Sequence, residues 1–238
     1  MDLLVVLAGG KGTRIESVAE GKPKLLLELQ AGRSFLDYKI DEALKNRIAS
    51  LLLLLGFRSN QILETLEQHD YGIPIAALND GPRLRGTGGA LIRALPFLPS
   101  SFFLTYGDNL LEEAYDSLRS MFESCGGDAS VMTVTKPIKG FDGACNTAID
   151  GEFVVRHKKG EPQSFDYLDY GLLLIRREDL ESAAKALAPS ESVDLSIVLG
   201  YMASHGLLRC LLTQKKYMEI GTPEGLSNAI RSIDPLEL

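Results

Sequence analysis

Leu3-Leu4-Val5-Val6-Leu7-Ala8-Gly9-Gly10-Lys11-Gly12-Thr13-Arg14-Ile15, followed by Pro23-Lys24, is the stretch on which the reading of this chain turns. Its apolar start reads as a buried strand. Glycines at 9, 10 and 12 follow. They let the backbone take strained conformations and bring N–H groups close to an anion. Arg14 and Lys24 add two positive charges, one a planar fork and one a compact point charge. The stretch therefore looks built to hold a polyphosphate. Two commoner glycine patterns fail here. A P-loop needs Lys followed by Ser or Thr, but Lys11 is followed by Gly12. A dinucleotide loop needs a third glycine where Ile15 stands. The plainer alternative is a strand-to-helix turn with incidental cations.

Beyond this stretch, apolar runs alternate with helical patterns. Strands are expected at 3–7, 50–55, 73–78, 102–106, 129–135, 171–175 and 207–212. Helices are expected at 34–46, 60–69, 88–94, 111–124, 178–187, 193–204 and 223–232. This alternation predicts an α/β fold with a mostly parallel sheet covered on both faces. Turns are marked at 139–143 and 158–162, with a short hairpin insertion at 146–155 between them. The loops at 8–14, 79–89 and 107–109 all follow strands, where ligands of open α/β sheets collect.

The 238 residues are 45% hydrophobic, which suits one domain with a substantial core. The formal charge of −7 argues against general nucleic-acid binding, so the cations near the start look local. Cys125, Cys145 and Cys210, with His69, His157 and His205, show no metal-ligand spacing. Sparse cysteine fits a reducing, cytoplasmic setting. Residues 1–8 are too short for a signal sequence, and the run Leu51 to Leu55 is too short to cross a bilayer.

The stretch Leu7-Ala8-Gly9-Gly10-Lys11-Gly12-Thr13-Arg14-Ile15 with Pro23-Lys24 resembles the signature of the sugar-1-phosphate nucleotidyltransferases. Three further segments match in order: Gly86-Thr87-Gly88-Gly89, Gly107-Asp108-Asn109 and Glu219-Ile220-Gly221-Thr222-Pro223. The resemblance runs from about residue 2 to about 226 and is to the short members, including heptose- and mannose-1-phosphate guanylyltransferases. It implies a Rossmann-like three-layer α/β/α nucleotidyltransferase fold, with a mixed, mostly parallel sheet and a small β-hairpin insertion. The single domain would divide into a nucleotide-binding part, about 1–110, and a sugar-phosphate-binding part, about 111–238.

The implied reaction attacks the α-phosphorus of a nucleoside triphosphate with a sugar 1-phosphate and expels pyrophosphate. Such chemistry rests on positioning and charge neutralisation. Arg14, Lys24 and Asp108 are the implied catalytic residues. The nucleotide would be held by Leu7, Ala8, Gly9, Gly10, Lys11, Gly12, Thr13, Arg14, Lys24, Asn79, Gly86, Thr87 and Gly88. The sugar phosphate would meet Gly107, Asn146, Lys159, Asp169 and Gly171, with Lys158 an alternative to Lys159. Asp108 and Glu219 would ligate Mg²⁺, although many relatives carry Asp at the latter position. Leu84-Arg85 stands where relatives often have Pro-Leu, and Asp169-Tyr170-Gly171 where they show Asn-x-Gly. The resemblance leans to GTP with a heptose or hexose 1-phosphate. Uridylyl-, thymidylyl- and cytidylyltransfer stay open, as does self-association. His157, in the basic run Arg156-His157-Lys158-Lys159, is expected at the surface. A metal-dependent glycosyltransferase would favour a second Asp at the Leu110 position, and a non-catalytic homologue would have lost Arg14, Lys24 or Asp108.

Overall fold

The computed structural model describes residues 2–81, 84–111, 114–137, 144–161, 164–187, 192–215 and 217–233. The turn expected at 139–143, and the end of the one at 158–162, lie outside them. The chain begins with β1 (Leu3–Ala8), α1 (Glu16–Ala19), β2 (Glu28–Gln30), β3 (Arg33–Ser34), α2 (Phe35–Lys45), β4 (Ser50–Leu55), α3 (Ser59–Gln68) and β5 (Ile75–Asn79). It continues with α4 (Gly86–Ala94), β6 (Ser101–Tyr106), β7 (Asn109–Leu111), α5 (Tyr115–Ser124), β8 (Ser130–Thr135), β9 (Thr147–Asp150) and β10 (Phe153–His157). It closes with β11 (Leu168–Arg176), α6 (Arg177–Leu187), α7 (Leu195–Ser204), β12 (Leu208–Leu212), β13 (Tyr217–Glu219) and α8 (Pro223–Ser232).

Two compact units emerge, neither continuous in sequence. The first combines residues 1–84, 106–112 and 216–238. In it β4 pairs in parallel with both β1 and β5, so Val5 faces Leu52, and Leu53 faces Ala77. Parallel strands buried on both faces need continuous apolar sequence, which the leucines of β4 supply. Val5, Leu53, Leu55, Phe35 and Leu36 are fully buried. Each such side chain is worth about 1.5–3 kcal/mol on leaving water. Helix α2 starts on a capping box: the Asp37 N–H donates to Ser34 Oγ, and the Ser34 N–H to Asp37 Oδ2.

The second unit holds residues 85–105 and 113–215. Its strands run in the order β6-β11-β8-β12-β10-β9. The β8–β12 pair is parallel and the other pairs are antiparallel. The expected hairpin is present as β9–β10. The helix expected from 111 begins at Tyr115 instead. Residues 109–111 form β7, because the N–H and C=O groups of this short stretch pair antiparallel with β13. None of the described helices is long and apolar enough to cross a membrane.

Candidate active site

In the first unit, β1 ends against two close-packed turns. Gly12 sits in the left-handed region at φ 64°, and the following turn, Thr13–Ile15, buries Ile15. That anchor fixes the loop while Arg14 stays exposed. Pro23 then sets an extended entry to the turn Lys24–Leu26, where Leu25 is buried as the second anchor. The Lys24 stem runs past Gly12: a Cβ there would lie 3.4 Å from Lys24 Cε. The two halves of the opening stretch are thus in contact.

At Gly107 the chain leaving β6 crosses the end of β1. The Gly107 N–H donates to the Leu7 carbonyl at 2.9 Å. A Cβ there would stand 2.7 Å from the same oxygen, so no other residue allows this approach. The crossing delivers Asp108 to Lys24, whose Nζ donates to Asp108 Oδ2 at 2.8 Å. The pair is partly buried, with side chains 18% and 27% exposed.

Glu219 arrives from β13, where it pairs opposite Asn109, and the Ile220 N–H donates to the Asp108 carbonyl at 2.8 Å. Both carboxylates reach the space beside Gly221, where a Cβ would lie 2.6 Å from Glu219 Oε1 and 3.5 Å from Asp108 Oδ2. Burial raises the Glu219 pKa above the usual carboxylate value; neighbouring Asp108 raises it further, and Arg14 and Lys24 pull it down. Arg14, Lys24, Asp108 and Glu219 therefore share one electrostatic neighbourhood: two cations and two carboxylates. Among the described residues no group of three His, Cys, Asp or Glu side chains is placed to enclose a metal. Two converging carboxylates without a third suit a hard cation that completes its shell with phosphate oxygens and water.

Beneath this site lies a group that no motif marks in the sequence. Lys39 of α2 is fully buried. Its Nζ donates to Glu42 at 3.1 and 3.3 Å and to the Asn109 carbonyl at 2.7 Å. Glu42 Oε2 also accepts from the Leu111 N–H at 3.2 Å. A buried ion pair thereby grips β7 directly after Asp108. Desolvation lowers the Lys39 pKa, while Glu42 and then Asp108 favour its charged form. Lys22 and Arg58 are also new: they line a small recess with Gly10, Lys11, Gly12 and Lys24. Asn79 is committed locally, donating to Ser59 Oγ at 2.7 Å and accepting from the Gly81 N–H at 3.0 Å.

In the second unit, Gly86-Thr87-Gly88-Gly89 opens α4 and is stitched to 193–195. The Gly89 N–H donates to the Val193 carbonyl at 3.0 Å, and the Leu195 N–H to Thr87 Oγ1 at 2.9 Å. Lys159 reaches Asp194, the cap of α7, at 3.0 Å. Lys158 pairs with Glu161 instead. Asn146, Asp169 and Gly171 meet: the Asp169 N–H donates to Asn146 Oδ1 at 2.9 Å, and the Gly171 N–H to Asp169 Oδ1 at 2.8 Å. His157 is a correction, being only 4% exposed. A bulge between Val154 and Arg156 restarts the alternation of β10 and turns His157 inward.

A family model described as a MobA-like NTP transferase domain matches residues 4–199. The "Bifunctional IPC transferase and DIPP synthase" of Rubrobacter xylanophilus is 26% identical over 224 residues, covering 93% of this chain and 49% of that protein. The chain spans about half the length of the curated relatives it matches along most of its own. HddC from Yersinia pseudotuberculosis, also solved complexed with GMP-PN, superposes with a TM-score of 0.78 at 22% identity, covering 98% of this chain and 100% of HddC. The inositol-1-phosphate CTP transferase from T. maritima superposes with a TM-score of 0.79 at 21% identity, covering 98% and 97% of the two chains. At these identities the two structures establish the fold, the Rossmann-like α/β arrangement expected from the sequence.

Proposed function

We propose that this chain, which belongs to the family of MobA-like NTP transferase domains, joins a nucleoside monophosphate unit to a sugar 1-phosphate and releases pyrophosphate. The observation that carries this reading is the gathering of Lys24, Asp108 and Glu219 beside a cationic glycine loop. A phosphate oxygen of the acceptor attacks the α-phosphorus. The bond from that phosphorus to the bridging oxygen of the β-phosphate breaks, and its electron pair leaves with pyrophosphate.

The loop amides of residues 9–14 and the Arg14 guanidinium bind the β- and γ-phosphates and offset charge gathering on the leaving group. Lys24 lowers the repulsion between acceptor and triphosphate. Its bond to Asp108 holds the ammonium in place beforehand, so little reorganisation accompanies reaction. Asp108 and Glu219 would hold Mg²⁺, which, when bound, neutralises phosphate charge and polarises the phosphoryl oxygens. Gly86 to Gly88 read the base, and Asn146, Lys159, Asp169 and Gly171 receive the acceptor.

We assign GTP and a heptose or hexose 1-phosphate as the first pair to test. A cytidylyl transfer to a polyol phosphate is the second reading, favoured by the likeness to the inositol-1-phosphate CTP transferase from T. maritima. Pyrophosphate release with Mg²⁺ should be measured for four triphosphates against sugar 1-phosphates and inositol 1-phosphate. Release above background with one pair is the expected result; silence across the whole panel would sink the proposal.

A further inference from the structure

The buried histidine of the second unit has no part in that reaction, yet its surroundings assign its proton. Thr147 and His157 face each other across the β9–β10 hairpin. Thr147 is fully buried and His157 nearly so. One residue beyond this pair stand Asn146 and Lys158, joined by the Lys158 N–H donating to the Asn146 carbonyl at 2.9 Å. The hairpin end therefore carries Asn146, and the buried pair stands directly behind it.

The hydrogen-bond chain has one consistent solution. The Asp169 N–H lies 2.9 Å from Asn146 Oδ1. A backbone N–H only donates, so this atom is the carbonyl oxygen and the amide cannot be flipped. Thr147 Oγ1 lies 2.9 Å from the same oxygen, and two oxygens at that distance need a proton between them. The single Thr147 hydroxyl proton therefore points at Asn146. Toward His157 Nδ1, at 3.0 Å, Thr147 then offers only lone pairs. His157 must carry a proton on Nδ1 and donate it. Proton direction runs one way, from His157 through Thr147 to Asn146 Oδ1, where Asp169 N–H supplies the second donor.

We propose that His157 is a positioning residue that, through Thr147, locks the Asn146 amide so that its oxygen is committed within the fold and its N–H donors face an oxygen acceptor of the sugar phosphate. This rests on the nucleotidyltransferase reading above and deepens it by naming what sets acceptor recognition. The site would read a hydroxyl or phosphate oxygen and would discriminate against an acceptor lacking it, because a hydrogen-bonding site rejects an analogue that leaves its donor unpaired.

The test uses the whole 238-residue chain with the substrate pair that the wild type accepts. His157→Phe and Thr147→Val remove the relay; His157→Asn and Thr147→Ser keep a donor and a hydroxyl at the same places. Phe and Val should raise KM for the sugar phosphate about tenfold, the loss expected for one hydrogen bond of ordinary net strength. KM for the triphosphate should stay put, and Asn and Ser should restore the acceptor KM. An unchanged acceptor KM in folded Phe and Val variants overturns the proposal. So does an equal rise for both substrates. Independently, ¹⁵N NMR of the histidine ring should show the proton on Nδ1; a neutral ring protonated at Nε2 overturns the relay whatever the kinetics show. If the wild type releases no pyrophosphate with any pair, the functional reading falls, and the acceptor role of Asn146 with it. The ring tautomer still decides separately whether the relay exists.

Discussion

Lys24 and Asp108 are each other's counter-ion at 2.8 Å, and both act on Glu219. Truncating either to Ala should cut turnover by roughly a hundredfold or more, as expected when a preorganised charge is lost from a transferring phosphoryl group. Steady-state pyrophosphate release measures it, and near-normal turnover in either variant would refute the assigned roles. Both residues stood out in the sequence because each lies in a short motif, and the structure brings the two together. Lys39 was not. A lysine three residues before a glutamate on a helix reads as a solvated pair, and only β7 packing over it makes it a buried one. Lys39→Met should cost about 3–5 kcal/mol in denaturant unfolding, because Glu42 is left buried without its partner. Adding Glu42→Leu should recover much of that stability, while on the proposed reading half-maximal turnover should need more Mg²⁺ than in the wild type, because Asp108 has lost the support beneath it. A double variant with wild-type Mg²⁺ dependence would show that the pair serves stability alone.

Among the elements, long periodic segments declared themselves and short ones did not. The leucines of β4 and the amphipathic α2 lie within a residue or so of where the pattern puts them. Strands β7 and β13 have three residues each, and each pairs with the other, far away in sequence. Leu110 and Leu111 also continue a helical pattern into the acids that follow, which hid the strand. The β10 bulge leaves no mark in the sequence, and strict alternation from Val154 would put His157 outside. Local chemistry did its part at α2. Ser34→Ala should lower stability by about 1 kcal/mol, since it opens the capping box. Thermal or urea unfolding reads this directly, and no loss would mean that Asp37 alone serves the helix start.

At the scale of the whole molecule, His157 links stability to pH. Burial holds its pKa below the ordinary value; Asp169 opposes that shift, Lys159 adds to it and Asp194 opposes it. The unfolded chain, with a histidine pKa of about 6.5, therefore takes up the proton before the folded one does. This contribution is complete above about pH 6.5 and is lost as pH falls from there through the lower folded-state value. Unfolding free energy measured from pH 8 to pH 5 should decline more steeply for the wild type than for His157→Asn. Parallel curves would count against a buried neutral ring.

The first unit is assembled from three separated stretches of chain, with Lys24, Asp108 and Glu219 contributed one by each. This gives the proposed catalytic centre a timetable. During synthesis the glycine loop and Lys24 are available early, and Asp108 joins once the chain leaving β6 crosses β1. The second carboxylate, and the strand that pairs with β7, are missing until Glu219 has left the ribosome. On the proposed reading, a nascent chain gathers phosphate at its first loop but cannot complete the two-carboxylate centre, so unfinished molecules should hold nucleotide without turning it over.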